Sequence, residues 1–300
     1  MDNILLVFLC LLAGVFLRRL PTVASSASQS LNQYVIYIAL PAMTLFYIPK
    51  IELSSGLLFP LGIAWVGFGL SFVFFWSLGK MLGWSKKLIG CLILMGGLGN
   101  TSFVGFPIVE ALYGSQGLKT AIVVDQPGTF LVMATLGIGV ASYYSSGMAS
   151  SASMIRKILF FPPFIAFMVA VVMNAFNFDF HDALQGAFQK IGATVSPVAL
   201  VAVGIQIRIE KTKHMPFALL GLFFKLVLTP LFFLVLYKLI LSRDGMDIDV
   251  SIIESAMAPM VTASVLASTY NLKPRLASLM IGIGIPASLV TIGLWYWLLS

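Results

Sequence analysis

Residues 94–112 read LMGGLGNTSFVGFPIVEAL. Both ends are apolar enough for a membrane helix, yet the centre holds Gly96, Gly97, Gly99 and Gly105, the run Asn100, Thr101 and Ser102, and then Pro107. Proline lacks a backbone N–H and its ring collides with the preceding turn, and glycine loosens a helix further. In lipid each freed backbone group costs several kcal/mol, so an interrupted helix is tolerated only where the break is buried in protein or lines a wet cavity. This stretch therefore predicts a membrane helix broken at its centre, with the break facing inward.

The rest of the chain supports a membrane setting. Of its 300 residues 59% are hydrophobic and only 10% charged, and the mean hydropathy is +1.01, far from a soluble domain. Ten apolar segments follow one another, at residues 3–20, 31–49, 57–78, 87–112, 119–142, 157–176, 183–207, 215–240, 250–271 and 275–298. Each suits a hydrocarbon core about 30 Å thick. They are continuous runs without the strict alternation of a membrane barrel, so the expected class is an all-α integral membrane protein.

The first run ends at Arg18 and Arg19, the reverse of a secretory signal, and is read as a retained helix. Cys10 and Cys91 fall inside apolar spans without disulfide or zinc spacing. The net charge of +7 is spread through loops instead of forming a nucleic-acid patch. Loops after odd-numbered spans and the adjoining helix ends carry twelve Lys and Arg, among them Arg18, Arg19, Lys86, Lys87, Arg156, Lys157, Arg208, Lys211 and Lys213, against five on the other side. The positive-inside rule then puts both termini outside the cell membrane.

Residues 142–157, SYYSSGMASSASMIRK, form the most Ser-rich connection and fall near the midpoint. They divide the chain into residues 1–142, a cytoplasmic linker at 143–156, and residues 157–300. Five spans per half would invert the second relative to the first. Pro41 in the second span matches Pro197 in the seventh, and the break around Gly99 to Pro107 in the fourth matches one around Pro259 in the ninth. Crossing of the two breaks would gather helix N-termini, whose partial positive charge suits an anion, and Asn100, Thr101, Ser102 and Thr262 would add neutral hydrogen bonds. The plainer reading of the prolines, kinks in ordinary helices, stands beside this one.

Carboxylates inside membrane spans are functional candidates. Asp125 lies within the fifth span next to Gln126, Glu254 precedes Pro259 by five residues, and Glu110 sits in the second half of the fourth span. Proton or sodium coupling is the use of Asp125 and Glu254; a structural hydrogen bond for Asp125, and a reach to water for Glu254 and Glu110, are the rival readings. Lys225 either pairs with one of these acids or reaches the interface along its stem.

Four stretches, LNQYVIYIALPAMTLF (31–46), GNTSFVGFPI (99–108), SPVALVAVGIQI (196–207) and AMAPMVTASVLASTYNL (256–272), resemble the auxin efflux carrier family, bacterial members more than plant ones because the central loop is short. The resemblance implies two inverted five-helix repeats, a scaffold of spans 1, 2, 6 and 7, a transport domain of spans 3–5 and 8–10, and a crossover of broken spans 4 and 9 at the substrate site. It also implies a dimer and elevator-like transport of organic anions such as malate, malonate or auxin-like acids. By position it nominates Gly99, Asn100, Thr101, Ser102, Phe103, Pro107, Pro259, Met260 and Thr262 around the substrate. The third span has no charged residue within 57–78, so the acidic support site of plant carriers has no counterpart there. No cofactor is expected.

Rival readings are a channel or uncoupled uniporter, a ligand sensor without transport, and a membrane enzyme. The enzyme lacks paired acids, a metal motif or a nucleophile with its base, His181 and His214 lying in or near loops.

Overall fold

In a computed structural model, residues 2–24, 26–51, 55–145, 160–207 and 214–300 are described. Most of the 143–156 linker and the basic residues Arg156, Lys157, Arg208, Lys211 and Lys213 lie outside them. The described chain is helical with one isolated β-bridge and no strand. Six helical stretches are long and apolar enough to cross a membrane, and Leu5–Leu17 and Pro162–Ala175 are shorter apolar helices.

In chain order the helices are α1 Asp2–Leu17, α2 Ala27–Lys50 and α3 Leu58–Met81, α4 Lys86–Gly97, α5 (residues 101–113) and α6 (residues 115–144), which are separated by a non-helical Gly114. Then come α7 Pro162–Ala175, α8 Asp182–Gln206 and α9 Met215–Ile240, α10 Met246–Ser255, α11 Val261–Thr269 and α12 Pro274–Leu299.

Several helices widen into π turns beside proline. The turns Val35–Ala39, Thr101–Gly105 and Phe224–Leu228 each precede a proline, Pro41, Pro107 and Pro230, and Val124–Phe130 contains Pro127. A proline removes a donor and crowds the carbonyl four residues back, and widening the turn relieves that crowding. The loosened carbonyls find other donors: Thr129 Oγ1 donates to Val124 O at 3.3 Å and Thr229 Oγ1 to Phe224 O at 3.0 Å, each five residues back.

The chain divides into two compact units. The first comprises Met1–Ser55, Ser102–Ile122 and Ser151–Gln206. Here α1 lies against the second half of α8 so closely that a Cβ on Gly14 would collide with Val201 O, and one on Gly204 with Leu11 O. Such small-residue contact is how helices associate in lipid, where apolar burial gives them no preference for each other over the acyl chains. Asn174 Nδ2 on α7 faces the carbonyls of Ile48, Pro49 and Ile51 at 3.1, 2.9 and 2.7 Å, covering the end of α2. Tyr34 and Thr194 share a hydroxyl hydrogen bond of 2.8 Å, and Ser196 Oγ donates to Glu110 Oε2 at 2.6 Å.

The second unit comprises Gly56–Thr101, Val123–Ser150 and Ile207–Ser300. Its α3 packs against α4, α10 and the π turn at Val124–Phe130. The cluster of Ile63, Val124, Phe233, Tyr237, Ile248 and Ile252 fills the space between these helices. Tyr237, the polar member, donates its hydroxyl to Phe59 O at 2.8 Å. Apolar side chains such as Phe8, Phe16, Trp76, Val290 and Trp297 are exposed, as expected where lipid is the solvent.

Candidate functional site

The helix formed by LMGG ends at Gly97, and Leu98 is extended (φ −110°, ψ 117°). On the other segment α10 ends at Ser255 and Met260 is extended (φ −67°, ψ 128°) just before α11. The two openings face each other: Asn100 N donates to Ala258 O at 2.7 Å and Met260 N to Leu98 O at 2.9 Å. Between these bonds Gly99 and Pro259 form an antiparallel bridge. This is the non-hydrogen-bonded position of an antiparallel pair, where the opposed residues exchange no N–H···O bonds. Proline's missing donor therefore costs nothing at residue 259. Each break supplies the hydrogen bonds that the other lost, which is what a non-aqueous surrounding demands.

Pro107 stands elsewhere. It is the second α-helical residue after the Thr101–Gly105 π turn, and the extended backbone is confined to residues 98–100 on that segment. The break is thus made by Leu98, Gly99 and Asn100, upstream of the proline that signals it.

Around the bridge the second unit gathers buried polar groups. Asp125, 2% exposed, accepts from Thr101 Oγ1 at 2.6 Å on Oδ1 and from Gln126 Nε2 at 3.1 Å on Oδ2. Glu254, in the last turn of α10, is 0% exposed, and neither of its oxygens has a hydrogen-bond partner. Lys225 is 4% exposed and its Nζ donates to Ser255 O at 3.1 Å. The ammonium thus neither reaches the interface nor makes a direct ion pair; it caps the carbonyl end of α10, where the helix dipole favours a cation. A Cβ on Gly99 would stand 3.1 Å from that Nζ, so glycine leaves room for the ammonium.

The surroundings fix this arrangement. Trp295 Nε1 on α12 donates to Leu226 O at 2.9 Å, inside the π turn that carries Lys225. Trp65 Nε1 on α3 donates to Pro127 O at 3.2 Å, inside the π turn that carries Asp125. A Cβ on Gly284 of α12 would lie 2.8 Å from Pro259 Cδ, so α12 backs the bridge directly.

Of the nominated residues, Gly99, Asn100, Thr101, Pro259, Met260, Thr262, Asp125 and Glu254 belong to the second unit, and Ser102, Phe103 and Pro107 to the first. Asn100 and Thr101 are buried, whereas Thr262, in the first turn of α11, is half-buried. Glu110 is a first-unit residue, bonded to Ser196. Lys225, Gln126 and Ser255 are the participants that the sequence reading did not place. An intramembrane lysine is a visible signal, but its partner, a backbone carbonyl 30 residues away, leaves no trace in sequence. Among the described residues no three His, Cys, Asp or Glu side chains gather as a metal site.

The fold and the bridge define the class as a multi-pass helical membrane protein with two broken helices paired through their backbones. The family model described as membrane transport protein matches residues 1–296. The chain belongs to this family, the auxin efflux carriers. It is 28% identical to an uncharacterized transporter of Methanocaldococcus jannaschii, over 100% of this chain and 98% of that protein. It is also 28% identical to an uncharacterized transporter of Methanothermobacter thermautotrophicus, over 98% of this chain and 96% of the relative.

Proposed function

We propose that this protein is a secondary transporter of small organic anions, carboxylates of the malate, malonate or auxin-like type, working by alternating access. The observation that carries the reading is the Gly99–Pro259 bridge, irregular backbone enclosed by helices and surrounded by buried Asp125, Glu254 and Lys225. Broken helices with ionisable side chains at the opening are the usual construction of a substrate or coupling-ion site in transporters. The N-terminus of α11 opens at the bridge and its first turn carries Thr262, a fit for a carboxylate. Asn100 supplies a neutral side-chain amide beside it, while the Thr101 hydroxyl proton is given to Asp125.

In this reading the chain is two inverted five-helix repeats. Spans 1, 2, 6 and 7 form a scaffold and spans 3–5 and 8–10 an elevator-like transport domain. The grouping of Met1–Ser55 with Ser151–Gln206 in one compact unit supports the scaffold, although Ser102–Ile122, from spans 4 and 5, falls in that unit as well. The protein works as a homodimer in the cell membrane, with both termini on the extracytoplasmic side. Asp125 and Glu254 serve ion coupling.

Counterflow of radiolabelled malate and malonate into proteoliposomes tests the reading. Saturable exchange is expected, and Asn100→Ala reduces it by about tenfold or more, the effect of losing one hydrogen bond to a charged ligand. Full exchange by Asn100→Ala removes Asn100 from the site; conductance without saturation makes the protein a channel.

A further inference from the structure

The two buried carboxyl groups of the second unit have opposite surroundings. Asp125 accepts one hydrogen bond on each oxygen, from Thr101 and Gln126. Glu254 accepts none on either. A carboxylate held by donors keeps its charge, whereas a buried carboxylate without a donor or direct ion pair is neutralised by taking up a proton. Lys225, fixed on Ser255 O, supplies a single positive charge. With Asp125 ionised and Glu254 protonated, the three groups sum to zero.

Resting on the transport reading above, we propose that the coupling ion is a proton, that Glu254 is its carrier, and that Asp125 and Lys225 are the fixed charges that couple it to the anion. A sodium ion here would meet the Lys225 ammonium at close range. The charges that act on Glu254 are Asp125 on α6 and Lys225 on α9. The elements packed against α10 carry further titratable groups. Lys80 lies in the last turn of α3 and Arg275 in the first turn of α12, with Tyr296 near the far end of that helix. On α9, Lys238 is ion-paired to Asp249 at 2.8 Å and Tyr237 is bonded to Phe59 O.

Coupling follows from the charge count. An arriving dicarboxylate such as malate or malonate adds two negative charges to a site of low polarity, and loss of the Glu254 proton would add a third. Coulomb repulsion in such surroundings is several times stronger than in water. Anion binding and proton binding therefore favour each other, and the favour is reciprocal. The O–H bond on Glu254 forms with a proton from water on one side of the membrane and breaks to return it to water on the other, one proton per anion.

Two measurements test this on the purified full chain. In the infrared, the protein without substrate at neutral pH shows the C=O stretch of a protonated carboxylic acid, lost in Glu254→Gln and kept in Asp125→Asn. A band that survives in Glu254→Gln and disappears in Asp125→Asn assigns the proton to Asp125 and overturns the proposal, as does absence of the band from the unaltered protein. Thermal melting of each variant checks that it is folded. In proteoliposomes with the membrane voltage clamped at zero, acid outside drives radiolabelled malate or malonate inward about tenfold per pH unit for one proton per anion. Glu254→Gln abolishes that accumulation. Counterflow in the unaltered protein without any accumulation by the pH gradient refutes proton coupling and leaves the transport reading standing. Absence of counterflow refutes transport of these anions, while the infrared band still decides where the proton resides.

Discussion

Two close approaches of backbone, one in each unit, solve different problems. At Gly14 and Gly204 two intact helices press together; both keep their internal hydrogen bonds, and the contact is van der Waals packing of Leu11, Val201 and their neighbours. At Gly99 and Pro259 the helices have opened, and the freed backbone groups of Leu98, Asn100, Ala258 and Met260 satisfy one another. The atoms nearest the first contact are backbone atoms of Leu11, Val15, Val201 and Ile205 and of the two glycines. The second is ringed by Asp125, Glu254 and Lys225. Glycine permits close approach in both, yet only the opened pair brings helix ends together, the C-terminus of α10 and the N-terminus of α11.

The contrast can be broken at either contact. Gly204→Val places a side chain where Leu11 O and the Gly14 Cα already stand. Because backbone cannot yield as a side chain can, about 3 kcal/mol of destabilisation is expected, read as a large drop in melting temperature of the detergent-purified protein. Thr101→Val removes the 2.6 Å donor to Asp125 at about 2 kcal/mol, the scale of a hydrogen bond to a charged group, and lowers counterflow as well as stability. Loss of counterflow in Gly204→Val with melting unchanged would erase the distinction between a packing contact and a working one. The smallest effect belongs to Asp179→Asn, whose partner Lys50 lies 3.9 Å away with both side chains partly exposed. Less than about 0.5 kcal/mol is expected, with transport unaltered, and a larger change would mean that the Lys50 contacts do more than decorate the surface.

Asp125 and Glu254 show how far residue type alone carries. Both are acids in apolar spans, and Asp125 would be the first choice for a proton carrier because it lies deeper in its span. In the proposed proton coupling their neighbours reverse that order: Thr101 and Gln126 meet Asp125, and nothing donates to Glu254. Glu254 also sits at the closed end of α10, 0% exposed, instead of reaching for water.

Composition and local spacing determined the membrane class, the helical segments and the places where two of them open, because apolar runs, Gly and Pro act on their own few residues. Pro107 marked its break several positions late for the same reason: a proline is tolerated in the first turn after an interruption, so it signals a break without making it. The opposition of Gly99 to Pro259, the seating of Lys225 on Ser255 O, the division of donors between Asp125 and Glu254, and the meeting of Gly14 with Gly204 came only with tertiary structure. Most of these pairings join residues far apart in the chain, and all depend on which groups packing leaves within reach, a relation that no local pattern of residues encodes.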